Sequence, residues 1–173
     1  MTVEITLTRN QTALVDDADA DLLALKWCAF KTGRGYFYAK RGRTMSPGKQ
    51  SSEYLHRVVL SRILGRQLAT DEQADHINGV GLDNRRLNLR LATAQQNTHN
   101  RRTRRDNSSA YKGVRAENNG WRALIRVNEK TKYLGIFDNI IDAAIAHDRA
   151  AYEAFGDFAR CNYPRFACGL VSA

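Results

Sequence analysis

The stretch Asp75-His76-Ile77-Asn78-Gly79, followed by Leu82-Asp83-Asn84-Arg85-Arg86, Asn88-Leu89-Arg90 and Gln95-Gln96-Asn97, decides how this chain is read. Ala74 to Ile77 suits a short strand. Asn78 and Gly79 form a turn pair, since both tolerate backbone angles that other residues avoid. Leu87, Leu89 and Leu91 alternate with Asn88 and Arg90, the period of a second strand. Thr93 and Gln96 match the capping box, in which a hydroxyl and a carboxamide satisfy the first free N–H groups of a helix; this predicts a helix to about Asn100. The local order is strand, loop, strand, helix.

Working toward the N-terminus, His56 to Leu64 has apolar residues at 59, 60, 63 and 64, which is helical spacing, with Gly65 as the C-cap. Residues 44–52 read as a polar loop containing Pro47 and Gly48. Trp27 to Phe30 and Tyr36 to Lys40 read as strands around a turn at Thr32–Gly35. Asp16 to Asp21 place acids at the positive end of a short helix carrying Leu22, Leu23 and Leu25. Residues 2–8 alternate and predict a strand. Toward the C-terminus, Val114-Arg115, Trp121 to Val127 and Tyr133 to Phe137 predict three strands. Ile140 to Phe155 has apolar residues at 140, 141, 144, 145, 151, 152 and 155, the stripe of an amphipathic helix. Three strands and one helix make a compact α+β unit.

The chain has 173 residues and a formal net charge of +9. The excess concentrates in residues 53–105, where ten basic residues, all arginines, face five acids. Arginine's planar fork suits phosphate better than the point charge of lysine. The run Arg101, Arg102, Arg104, Arg105 ends that segment and the polar stretch 106–109 follows as a linker; the run suits phosphate or a merely solvated linker. No apolar run approaches the roughly 18 residues that span a bilayer, so a membrane protein is excluded at this level. No secretory signal is visible. The three cysteines Cys28, Cys161 and Cys168 lack zinc-site spacing and read as reduced thiols. An intracellular, cytoplasmic protein with a polyanionic partner is expected.

The segment from Asp75 to Asn97 closely resembles the signature of the HNH endonucleases, and most of all the phage and intron-encoded homing subgroup, over about residues 54–102. The resemblance implies a ββα-metal fold. Hydrolysing a phosphodiester needs an activated water and a charge sink at the phosphate. His76 suits the general base, because an unperturbed imidazole titrates near neutrality. Asp75 is its strand neighbour and points to the opposite face unless the strand twists or bulges. The resemblance implies that Asp75 ligates a divalent metal, with the Asn97 carboxamide as second ligand, and that Asn88 holds the hairpin and positions the base. Few hard oxygen ligands suit Mg²⁺ (or Mn²⁺) and not zinc. The signature often has His where this chain has Asn97; His99 lies two residues on, about 200° around the helix. The subgroup with Asn there resembles single-strand nickases. Asn78, Gly79, Asp83 and Asn84 read as turn formers, and His56 as a hydrogen-bonded structural residue. Arg85, Arg86 and Arg90 suit phosphate contact or exposure to water.

Tyr111-Lys112-Gly113-Val114-Arg115, Gly120-Trp121-Arg122-Ala123-Leu124-Ile125-Arg126, Tyr133-Leu134-Gly135-Ile136-Phe137-Asp138 and Asp142 to Asp148 resemble the APETALA/ethylene-response-factor DNA-binding domain over about residues 109–164. Strand alternation puts Trp121, Ala123, Ile125 and Val127 on one face and Arg122, Leu124 and Arg126 on the other. By position in the family pattern Lys112, Arg115, Arg122, Arg126 and Tyr133 would contact DNA. Glu117 and Asn119 stand where plant members often carry Arg and Trp, so the plant target sequence does not transfer. His147 suits helix packing or a site role equally.

The expected organisation is therefore α+β: a strand-rich leader at 1–53, a ββα-metal region at 54–105 ending in the arginine-rich linker, and a three-stranded antiparallel sheet on one helix at 106–173. The expected partner is double-stranded DNA, engaged by a monomer. The competing readings are a non-catalytic DNA-binding regulator with a degenerate HNH region, and a basic RNA-binding protein, which explains the charge but not Asp75, His76, Asn88 and Asn97.

Overall fold

The computed structural model describes residues 1–33, 35–46, 49–101 and 109–164. The chain divides into two compact units, Met1–Gln95 and Gln96–Ala173. The first unit thus takes in both the leader expected at 1–53 and most of the region expected at 54–105. Residues 102, 104 and 105 of the arginine run lie outside the described residues.

In the first unit β1 (Thr2–Leu7) and β2 (Gln11–Asp16) form an antiparallel hairpin. A 3-10 helix (Asp17–Ala24) follows where the acidic helix start was expected, tighter than an α-helix. β3 (Cys28–Lys31), β4 (Phe37–Ser46) and β5 (Lys49–Tyr54) make an antiparallel sheet in that order. The expected polar loop at 44–52 is corrected here: β4 runs to Ser46 and β5 begins at Lys49. Lys49 to Glu53 have no apolar alternation, and their strand exists because β4 offers a free edge in register. α1 (Leu55–Leu64) ends where Gly65 takes φ 66°, a left-handed angle that glycine adopts without a Cβ clash. β6 (Glu72–His76) pairs antiparallel with β7 (Leu89–Thr93), and α2 (Ala94–His99) follows directly. The division between the units falls inside α2.

One core holds the first unit together. Ile5, Leu7, Ala13 and Val15 of the first hairpin, Leu22 and Trp27, Leu55, Val59 and Leu60 of α1, and Leu89 of β7 are all buried in it. Fully burying such an aliphatic side chain contributes roughly 1.5–3 kcal/mol. The leader is therefore half of the scaffold that carries β6 and β7. Polar ties reinforce this. Asp19 is fully buried and accepts from Arg86 at 2.7 and 3.0 Å and from Arg62 at 3.1 Å. Leu14 N–H donates to the Leu82 carbonyl and Asn84 N–H to the Leu14 carbonyl, both at 2.8 Å, stitching the 82–84 segment to β2.

In the second unit β8 (Val114–Glu117), β9 (Gly120–Val127) and β10 (Lys130–Phe137) form an antiparallel sheet with β9 in the centre. α3 (Ile140–Phe155) packs on it, capped by the Asn139 side chain, which accepts from Ile141 N–H at 2.8 Å. Val114, Ala123 and Ile125 are buried against Ala143, Ala144 and Ala151 of α3. The strand alternation meets α3 as expected, but the helical stripe is rotated: Ala143, Ala144, His147, Asp148 and Ala151 are the buried residues of α3, and Ile141 is exposed. No helix among the described residues is long and apolar enough to cross a membrane.

Candidate active site and nucleic-acid interface

β6 delivers Asp75 and His76 side by side, both almost fully buried. Asp75 pairs with Arg90 across the ladder, and residues directly opposite in an antiparallel pair share a face. Arg90 donates through Nε at 2.8 Å and Nη2 at 2.7 Å to Asp75 Oδ2. His76 turns to other neighbours, as alternation along a strand requires. Its ring lies 5.1 Å from His56 on α1 and 5.9 Å from Tyr38 on β4, centroid to centroid.

Asn84 makes a polar contact to the His76 ring. It is fully buried, and its Nδ2 donates to the Leu82 carbonyl at 3.0 Å, which turns Oδ1 toward His76 Nε2 at 3.2 Å. An amide oxygen only accepts, so Nε2 of the neutral ring carries the proton and Nδ1 the basic lone pair. Burial pushes the His76 pKa down; the Asn84 bond, Asp75 and Asp83 oppose this. The imidazole is thus kept in the neutral form that can accept a proton. Burial likewise pushes the Tyr38 phenol up, helped by the charge of Asp75.

The sequence reading that made Asn84 a turn former is corrected by this contact. Its inward aim comes from the pairing of Leu82 and Asn84 with β2, about seventy residues away in the chain. No local pattern distinguishes it from its neighbour Asp83. Asn88, by contrast, pins the loop between the strands. Its Oδ1 accepts from Asn78 N–H at 3.0 Å, and its Nδ2 donates to the Asp83 carbonyl at 2.7 Å and to Asn78 Oδ1 at 3.1 Å. Gly81 in that loop runs close to β4: a Cβ there would lie 2.5 Å from the Phe37 carbonyl and 2.7 Å from the Tyr38 ring.

His56 departs from its expected role. Its Nδ1 is buried with no hydrogen-bond partner, and the ring packs between Tyr38 and Tyr54, each at 5.4 Å. Burial, then the neighbouring His76 and Arg57, hold its pKa at about 3 against an ordinary 6.5. The folded protein keeps this ring neutral while the unfolded chain protonates it, so its stabilisation is complete above pH 6.5 and is lost as pH falls toward 3. From pH 7 to pH 4 the group should remove about 3 kcal/mol of stability. His56→Phe should flatten that slope; urea denaturation at the two pH values checks it, and an unchanged slope in the variant would count against the assignment.

The three arginines of this segment are all engaged. Arg85 forks onto Asp83 at 2.8 and 2.8 Å, Arg86 onto buried Asp19, and Arg90 onto Asp75. Asn97, the other residue expected at a metal, is half-buried on α2 and belongs to the second unit. The Asp75 carboxylate and the Asn97 carboxamide are each hard oxygen donors of the kind that Mg²⁺ and Mn²⁺ take.

In the second unit the sheet face away from α3 carries Arg115, Arg122, Leu124, Arg126 and Tyr133. Register aligns Arg115 with Arg122, and Leu124 with Tyr133. Arg115 and Arg126 are exposed and have no carboxylate partner among the described residues. Arg122 forms an ion pair with Glu117 at 2.9 Å, off hydrogen-bond geometry. Tyr133 is 57 % exposed. Lys112 differs: its Nζ donates to the His99 carbonyl at 2.7 Å, and burial brings its pKa down to about 8. Arg101 is exposed. His147 is buried beside Gly113, with Nδ1 3.1 Å from Asp148 Oδ1, so it packs the helix onto the sheet. Asp148 Oδ2 accepts from the N–H groups of Asn162 and Tyr163 at 2.7 and 2.9 Å and ties the following segment down.

Residues 53–99 match the family model described as HNH endonuclease, which spans β6, the pinned loop, β7 and α2. Over 110 residues the chain is 38 % identical to the uncharacterized HNH endonuclease L560 of Acanthamoeba polyphaga mimivirus, covering 62 % of this chain and 56 % of that protein. The chain thus spans about half the length of the relative it matches.

Proposed function

We propose that this protein is a sequence-directed DNA endonuclease of the HNH type, cutting a phosphodiester with His76 as general base. The observation that carries the reading is the His76 ring: buried, neutral, with Nε2 donating to Asn84 and its lone pair on Nδ1, inside the segment that matches the HNH family. Asp75 and Asn97 would hold Mg²⁺ or Mn²⁺, which when bound supplies charge stabilisation at the phosphate. Asn88 keeps the 78–83 loop folded so that Asn84 stays under the ring. Arg90 orients Asp75 through its bidentate contact to one oxygen.

DNA recognition falls to the second unit, whose sheet would lie in the major groove as in other sheet readers. Its likeness to the APETALA/ethylene-response-factor domain and the exposed Arg115 and Arg126, without a carboxylate partner among the described residues, support this. Arginine binds guanine bidentately and is worth about 1–3 kcal/mol of discrimination per good pair. Arg115→Ala or Arg126→Ala should therefore weaken binding to a selected site about 5- to 150-fold while non-specific binding changes little; competition titration at fixed salt checks this, and equal losses on both DNAs would assign them to phosphate.

The product is a nick, and the role that of a homing enzyme. Supercoiled plasmid carrying a selected target should become open-circular with purified protein and Mg²⁺, and stay supercoiled with chelator. Linear product in one step would overturn nicking. Clean binding without any cleavage would overturn the nuclease reading in favour of a regulator.

A further inference from the structure

The outer face of the β8–β9–β10 sheet mixes two chemistries. Arg115 and Arg126 stand exposed, and beside them on β10 stand two large apolar side chains, Tyr133 and Ile136, the latter 51 % exposed. Ile136 pairs in register with Arg122, and Arg122 pairs with Arg115, so the three form one row across the sheet. Neighbouring strands are about 4.8 Å apart, which puts Ile136 within reach of the same short stretch of any ligand that Arg115 touches. Its register partner is the guanidinium-bearing Arg122 and not an apolar group, so half its surface faces water.

A ligand that suits this row presents acceptors to the arginines and an apolar group to the isoleucine. The major-groove edge of duplex DNA offers both: guanine N7 and O6 as acceptors, and the thymine C5-methyl as its apolar group. We infer that Ile136 is a specificity-determining residue that reads a thymine methyl within the same site whose guanines the sheet arginines read. The inference rests on the reading of this sheet as the DNA-binding face.

The test uses the full chain in chelator, so that DNA is bound and not cut. A target is selected from a random duplex pool, and each thymine in it is replaced in turn by deoxyuridine, which keeps the pairing edge and removes only the methyl. At one position the wild type should lose affinity about fourfold, the worth of one buried methyl group. Ile136→Ala should bind the dT and dU sites equally. Ile141→Ala, an apolar residue 44 % exposed at the start of α3, should keep the wild-type discrimination. The inference is overturned if every dU substitution is neutral, or if Ile136→Ala retains the preference for dT. Enrichment of a target without methyl dependence overturns this inference alone. Failure to enrich any sequence overturns the DNA-reading face and the inference with it.

Discussion

His76→Ala is expected to slow DNA cleavage by about 10²–10⁴-fold, the contribution of a positioned general base. That corresponds to about 3–5 kcal/mol of transition-state stabilisation. The residue earns this effect from its surroundings. An exposed histidine would be partly protonated near neutrality, and a protonated ring cannot take a proton from water. Here burial among Tyr38, His56 and Leu89 disfavours the charged form, and Asn84 orients the ring by accepting from Nε2. Binding should survive the substitution, because Arg115 and Arg126, exposed and without a carboxylate partner among the described residues, lie on the sheet of the second unit. Single-turnover cleavage at saturating protein measures the rate, and gel-shift titration in chelator measures binding. Cleavage within about tenfold of wild type would refute the base assignment.

Gly113→Ala should be the most damaging single methyl in the second unit. Gly113 holds φ 75°, and a Cβ there would fall 2.0 Å from His147 Cδ2 and 2.5 Å from the Leu124 carbonyl. Neither neighbour yields easily. His147 is buried and bonded to the fully buried Asp148, and Leu124 N–H donates to the Gly113 carbonyl at 2.8 Å in the central strand. The left-handed angle costs about 1–2 kcal/mol for a residue with a Cβ, and overpacking about 1–3 kcal/mol or more. Their sum, about 2–5 kcal/mol, is a large part of the stability of a small domain. Each unit holds one of the chain's two tryptophans, Trp27 and Trp121. Urea unfolding followed by fluorescence should move the Trp121 transition to lower denaturant and leave that of Trp27 in place. A profile identical to wild type would show that the close approach relaxes freely.

Much of the fold is legible in short-range pattern. Alternation from Trp121 to Val127 predicts which side chains face α3, and Ala123 and Ile125 are indeed buried there. The helical period from Ile140 to Phe155 coincides with α3 at both ends. Where pattern fails, the determining contact is distant. β5 is polar and becomes a strand only because β4 lies beside it. Arg86 reads as a solvated or phosphate-binding arginine, yet it forks onto Asp19, 67 residues away.

The same division applies to the site. Residue order alone carries the chemistry on hand: a histidine beside an aspartate at a strand end, and arginines in alternation on a strand of a three-stranded unit; the hairpin-holding role of Asn88 comes from the family resemblance. Periodicity and residue type carry this information because side-chain direction along a strand or helix repeats every few residues. The tertiary structure decided which of those groups are available. It buried His76 against His56 and Tyr38, brought Asn84 under the ring through β2, and engaged Arg85, Arg86 and Arg90 with carboxylates while leaving Arg115 and Arg126 unpaired among the described residues. Burial and ion pairing depend on residues far apart in the chain, and they set protonation and charge, which no local pattern encodes.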